Sequence, residues 1–146
     1  MVKIHVFNGP NLNLLGQREP GQYGERSLEG IMQDLVQFAD NCGVELEHFQ
    51  SNSEGGMVDM IQDAGKGGVD YIIINPAGYT HTSVAIRDAL LAVSIPFVEV
   101  HLSAVGAREP FRQVSYFSDI AMGVISGFRG ESYLLALQAI LNRIEP

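Results

Sequence analysis

The 146-residue sequence contains one cysteine, two lysines and no tryptophan, and charged residues make up only 18% of it. A single thiol, Cys42, cannot form an internal disulfide. Its spacing from Phe38 and its neighbour Ala39 place it on a helix face, where a packed thiol is expected. Nine basic against seventeen acidic residues give a net charge of −8. With no basic run, the chain lacks the clustered cations that nucleic-acid binding requires. No apolar run approaches the roughly 20 residues of a membrane span. No charged segment followed by a long apolar stretch opens the chain, so a cytoplasmic protein is expected. The histidines at 5, 48, 81 and 101 have no metal-ligand spacing, so no metal is expected. There is also no GxSxG elbow and no phosphate-cradling Walker loop.

What is present is a 46% apolar content, enough to bury a core in one domain of this length. So few charges for so many apolar residues point to subunit contacts. Strands are predicted at Val2–Phe7, Val44–Gln50, Val69–Asn75, Pro96–Leu102 and Ala121–Ser126. The run VDYIIIN is nearly all apolar, as expected of a strand covered on both faces. Helices are predicted from a cap at Ser27 to Gly43, over Glu54–Ala64, over 81–93 and over Glu131–Ile144. The stretch GQREPGQYG, within residues 16–25, has too many glycines and a proline for a regular element, and reads as a mobile lid. Residues 108–119 read as irregular.

The alternation implies one α/β domain, 1–146. It is a flavodoxin-like, doubly wound, five-stranded parallel sheet of order 2-1-3-4-5 with helices on both faces. Ligands bind such sheets beyond the carboxyl ends of the strands. Those ends carry Asn8, Asn11 and Asn13 after strand 1, Asn75, Tyr79, Thr80 and His81 after strand 3, and His101 and Ser103 at strand 4. Glu99 and His101, two apart on a strand, share a face. They form either a structural ion pair or an oriented, proton-donating imidazole. His5 and His48 read as structural. Arg18 and Tyr23 are either ordinary loop residues or a phenol whose ionised form is favoured by a nearby cation.

The blocks FNGPNLNLLGQREPGQYG, NPAGYTHTSVAIRDALLA and PFVEVHLSAVGAREPFR resemble the signatures of type II 3-dehydroquinate dehydratases, and the similarity runs from Ile4 to the last helix. The resemblance implies a cofactor-free loss of water from 3-dehydroquinate, through an enolate and by anti elimination, giving 3-dehydroshikimate. It implies a homododecamer built as a tetramer of trimers. It makes Tyr23 the base, as tyrosinate, with Arg18 and Arg108 favouring its ionised form. His101 becomes the general acid, oriented by Glu99, and Asn11 stabilises the enolate through a water. Leu102 and Ser103 would hold the substrate carboxylate, and Asn75, His81 and Arg112 its ring hydroxyls. Asp88 lies about 200° around its helix from Ile86, and the resemblance sends it to a neighbouring subunit's site.

The chain departs from the family pattern at Ser53, Ala104, Gly106, Gln113 and Val114. Histidine is usual at 53, 106, 113 and 114, and asparagine at 104. Unrelated type I enzymes use a lysine Schiff base. Here Lys3 begins a strand and Lys66 sits in a glycine-rich turn, away from the strand ends that carry the site. Two other readings remain open. One is a binding module of the same fold, and the other is an enzyme acting on a related cyclic polyol acid.

Overall fold

The structure, a computed structural model, describes residues 1–17 and 26–144. Five strands form one sheet: β1 (Lys3–Asn8), β2 (Glu45–Gln50), β3 (Tyr71–Asn75), β4 (Phe97–His101) and β5 (Gly123–Ser126). The order is β2-β1-β3-β4-β5, and every pairing is parallel. Four α-helices cover it: α1 (Leu28–Asn41), α2 (Glu54–Lys66), α3 (Val84–Val93) and α4 (Glu131–Ile144).

The predicted order is therefore observed, and the alternation of side chains explains the packing. On β1, Ile4 and Val6 face α1 and α4, while Phe7 faces α2 and α3. On β3, Ile73 packs into the first layer and Ile72 and Ile74 into the second. Each of these side chains is fully buried. An apolar residue is needed at every position of such a strand, which is why VDYIIIN shows no alternation.

Several boundaries differ from the prediction. The helix expected over 81–93 begins at Val84, capped by the Ser83 hydroxyl, which accepts the Ile86 N–H. Residues Ala77–His81 instead form a 3₁₀ turn. Helix α2 continues past Ala64 to Lys66, so Lys66 ends a helix rather than sitting in a turn. Cys42 is exposed, not packed. Helix α1 stops one residue before it, because the Val44 N–H bonds to Ala39 O and the Gly43 N–H to Asp40 O. Gly43 adopts φ 77°. This is a Schellman ending, which turns the chain sharply and swings Cys42 outward.

Two features draw the ends of β1 and β3 together. The Gly9 N–H donates to Asn75 O at 2.8 Å. A side-chain carbon at Gly9 would lie 2.5 Å from the Pro76 carbonyl oxygen, so only glycine allows this approach. Asn11 and Ala77, just beyond, both adopt left-handed φ values of 69° and 54°. Asparagine tolerates that region, whereas alanine is strained there, so the strand ends are held against a local preference.

Candidate active site

A cavity of about 110 Å³ opens at the carboxyl ends of β1, β3 and β4. Asn11, Asn75, His81, His101, Leu102, Ser103, Arg108 and Arg112 line it. The turn after β1 brings Asn11, the 3₁₀ turn after β3 brings His81, and β4 delivers His101, Leu102 and Ser103. The segment that follows returns with the two arginines. Eight of the residues picked from the sequence thus converge on one cavity.

Glu99 does not line it but lies immediately behind. Its carboxylate is fully buried and accepts a hydrogen bond from His101 Nε2 at 2.5 Å. The imidazole is itself buried. With Nε2 committed to Glu99, Nδ1 is the ring nitrogen left for chemistry at the cavity. Ser115 Oγ donates to the same carboxylate at 3.0 Å and Ser118 Oγ at 2.9 Å. Burial pushes the Glu99 carboxyl up. The bonds from His101, Ser118 and Ser115 outweigh that, and the group is held below the ordinary carboxylate value.

The two serines were not legible in the sequence. They lie sixteen and nineteen residues beyond Glu99, and no periodicity links them to the strand. Ser118→Ala tests them. A depressed carboxyl adds stability above its unfolded value, and that stability is lost as pH falls through the folded one. The variant should therefore melt earlier than the unaltered chain at neutral pH, by about 1 kcal/mol of stability. The gap should close as pH falls below the carboxylate range. Thermal melts across pH check this; a gap that persists in acid would show that Ser118 acts by packing alone.

The remaining groups are also fixed. His81 Nδ1 donates to Val114 O at 2.7 Å, which leaves Nε2 for the cavity. Arg108 donates to Ser103 Oγ at 3.2 Å. Arg112 pairs with Glu109 at 3.1 Å and lies over the Phe111 ring. Among the described residues, the N–H groups of Leu102 and Ser103 donate to no acceptor. The Asn11 N–H donates to Asn52 Oδ1 at 3.0 Å, and Tyr79 Oη holds the Asn52 carbonyl at 2.9 Å. Asn52 is a third supporting residue that sequence reasoning missed, since it sits in the loop after β2.

Asp88 is exposed on α3 and does not line this chain's cavity. Arg18 and Tyr23 lie outside the described residues, as does most of the expected lid. His5 sits beside Glu47 on the sheet and His48 on the edge strand, both away from the cavity. Among the described residues, no group of three His, Cys, Asp or Glu side chains could hold a metal ion. No helix among them is long and apolar enough to cross a membrane.

None of the departures from the family pattern lines the cavity. Ser53 caps α2, its hydroxyl accepting the Gly56 N–H at 2.9 Å. Ala104, Gly106, Gln113 and Val114 are exposed, and Val114 meets His81 through its carbonyl rather than its side chain.

The family model described as dehydroquinase class II matches residues 2–141. The chain belongs to the class II dehydroquinase family. A 3-dehydroquinate dehydratase of Legionella pneumophila (strain Corby) is 59% identical over 145 residues, covering 99% of this chain and all of the relative. A 3-dehydroquinate dehydratase 1 of Pseudomonas aeruginosa is 58% identical, covering 99% of each. Among solved structures, a type II dehydroquinase from Butyrivibrio crossotus matches with a TM-score of 0.93 and 44% identity over 97% of each chain. A 3-dehydroquinate dehydratase-like protein from Bifidobacterium longum matches over the full length of both chains, with a TM-score of 0.74 and 28% identity. This dehydroquinase thus shares both its sequence and its sheet with the class.

Proposed function

We propose that this chain is a 3-dehydroquinate dehydratase, a hydro-lyase that converts 3-dehydroquinate to 3-dehydroshikimate without a cofactor. The observation that carries the reading is the buried Glu99–His101 pair at the wall of a cavity rimmed by two arginines. A hydroxide leaving group must be protonated as it departs. An imidazole braced by a carboxylate is suited to that step, because Glu99 fixes the ring with Nδ1 left for the cavity.

Catalysis begins at the carbon next to the ketone, where Tyr23, as tyrosinate, removes a proton. Arg18 and Arg108 favour the ionised phenol by their charge. The electron pair moves onto the ketone oxygen, forming an enolate. Asn11, through a water, stabilises that oxygen. The enolate then collapses, the bond to the C1 hydroxyl breaks, and His101 supplies the proton that turns hydroxide into water. The N–H groups of Leu102 and Ser103, which donate to no acceptor among the described residues, take the substrate carboxylate, a pairing of fixed donors with negative charge. Asn75, His81 and Arg112 take the ring hydroxyls. A net charge of −8 repels an anion at long range, so binding rests on these local donors.

In this reading, residues 1–146 form one catalytic domain, with residues 16–25 as a lid that excludes water on closing. Twelve chains assemble as a tetramer of trimers, and Asp88 reaches a neighbour's site from the exposed face of α3. The enzyme works in the cytoplasm, in the shikimate pathway or in quinate breakdown.

The test is conversion of 3-dehydroquinate by purified protein in the presence of a chelator. The product's conjugated enone should appear as ultraviolet absorbance. Borohydride added with substrate should attach no substrate to the protein. Lys3 reaches Gly67 O from the start of β1, and Lys66 ends α2 beside it, so both lie at the amino-terminal end of the sheet, opposite the cavity. A flat absorbance trace with folded protein would overturn the reading, and covalent trapping would overturn the enolate route.

A further inference from the structure

Beneath the cavity, four buried residues form a hydrogen-bonded chain across four elements, β1, α1, α4 and β3. Asn8 Nδ2 donates to Met32 Sδ at 3.6 Å. Tyr133 Oη donates to Asn8 Oδ1 at 2.5 Å. Asn75 Nδ2 donates to Tyr133 Oη at 3.0 Å, and Asn75 Oδ1 accepts the Ala77 N–H at 3.2 Å. Asn8, Met32 and Tyr133 are fully buried, and Asn75 is 3% exposed. Burial and the loss of hydration push the Tyr133 phenol well above its ordinary range, so it stays neutral and keeps its proton.

The two ends of this chain have fixed polarity. A thioether sulfur can only accept, and a backbone N–H can only donate. Met32 therefore forces Asn8 to turn its NH₂ group toward the sulfur and its carbonyl toward Tyr133. The single phenolic proton then goes to Asn8, so Tyr133 can only accept from Asn75. Ala77 imposes the same orientation on Asn75 from the other side. Asn75 is locked with its NH₂ group inward, and one of its two N–H bonds remains for the cavity it lines.

We propose that Tyr133 is a positioning residue for substrate recognition. Acting with Asn8 and Met32, it holds the Asn75 amide so that it presents a donor, and the site consequently selects a substrate with an accepting oxygen at that point. This rests on the reading of the cavity as the 3-dehydroquinate site. A flipped Asn75 would present a carbonyl oxygen, and a ring hydroxyl placed there would have to donate rather than accept. The strained backbone at Ala77 fits this account, because it aims the N–H that fixes one end of the chain. Tyr133 stands in the first turn of α4, whose buried face also carries Ala136, Leu137 and Ile140, and its sequence position suggests only packing.

Tyr133→Phe keeps the ring and removes the hydroxyl. It should raise KM for 3-dehydroquinate about fivefold to tenfold while kcat stays within about twofold. Asn75→Ala should raise KM similarly, and the double variant should raise it no further, because Tyr133 acts through Asn75. Independent, multiplying effects, or an unchanged KM with only a lower melting temperature, would overturn the proposal.

Nuclear magnetic resonance of the unaltered protein gives a second readout that needs neither activity nor a folded variant. One Asn75 Nδ2 proton should be strongly protected from exchange with solvent; equal, fast exchange of both would overturn the chain of bonds. If the unaltered protein fails to turn over 3-dehydroquinate, the functional reading falls. The exchange measurement still decides the network.

Discussion

His101→Gln is expected to lower kcat on 3-dehydroquinate by about 10²–10⁴-fold while the chain remains folded. The size follows from losing one general acid, since expulsion of hydroxide is poor without a proton. The choice of glutamine follows from Glu99. Its carboxylate is fully buried, and removing its partner outright would leave a buried charge unpaired. His101→Ala should therefore lose both activity and several degrees of melting temperature. Glutamine can still donate to Glu99, so it separates the chemistry from the fold. Steady-state kinetics alongside thermal melts read the two effects. A glutamine variant that retains most of its kcat would remove His101 from the proton transfer.

Tyr23→Phe is the second large effect. The substitution deletes one oxygen and leaves the ring, so binding should change little while kcat falls by about 10²–10⁴-fold. The base must be ionised to act, so activity should rise with pH through the phenol's pKa. In the proposed mechanism Arg18 favours the tyrosinate by its charge, so Arg18→Gln should move that rise to higher pH. A pH–rate profile of kcat checks the shift. Unchanged turnover in Tyr23→Phe would exclude the tyrosine as base, and an unshifted profile in Arg18→Gln would exclude the arginine's electrostatic role.

The fold was legible because its signals are local. Alternating strands and helices with short connections leave few arrangements, and the continuous apolar run at β3 marks a strand buried on both faces. The Glu99–His101 pair was legible for the same reason, since two residues apart on a strand must share a face. What escaped the sequence was non-local. Ser115 and Ser118 reach Glu99 from a loop, Asn52 holds Asn11 across from β2, and Tyr133 spans from the last helix to the first strand. Each is a polar residue whose partner is set by tertiary packing.

The position of Cys42 failed on a boundary. Gly43 was expected to end the helix, but the last helical residue is Asn41, and Cys42 is its exposed C-cap. The helix expected from residue 81 failed in the same way. A serine three residues before Ile86 marks the true start, and Pro76 with Gly78 marks the 3₁₀ turn before it.

The central claim is an anti elimination in which one face of the substrate meets Tyr23 and the other His101. It is tested most directly with 3-dehydroquinate carrying deuterium in one of the two positions at C2. The account predicts that deuterium placed anti to the C1 hydroxyl is lost from the product and that deuterium placed syn is retained, both read by mass spectrometry. Loss of the syn deuterium would contradict it.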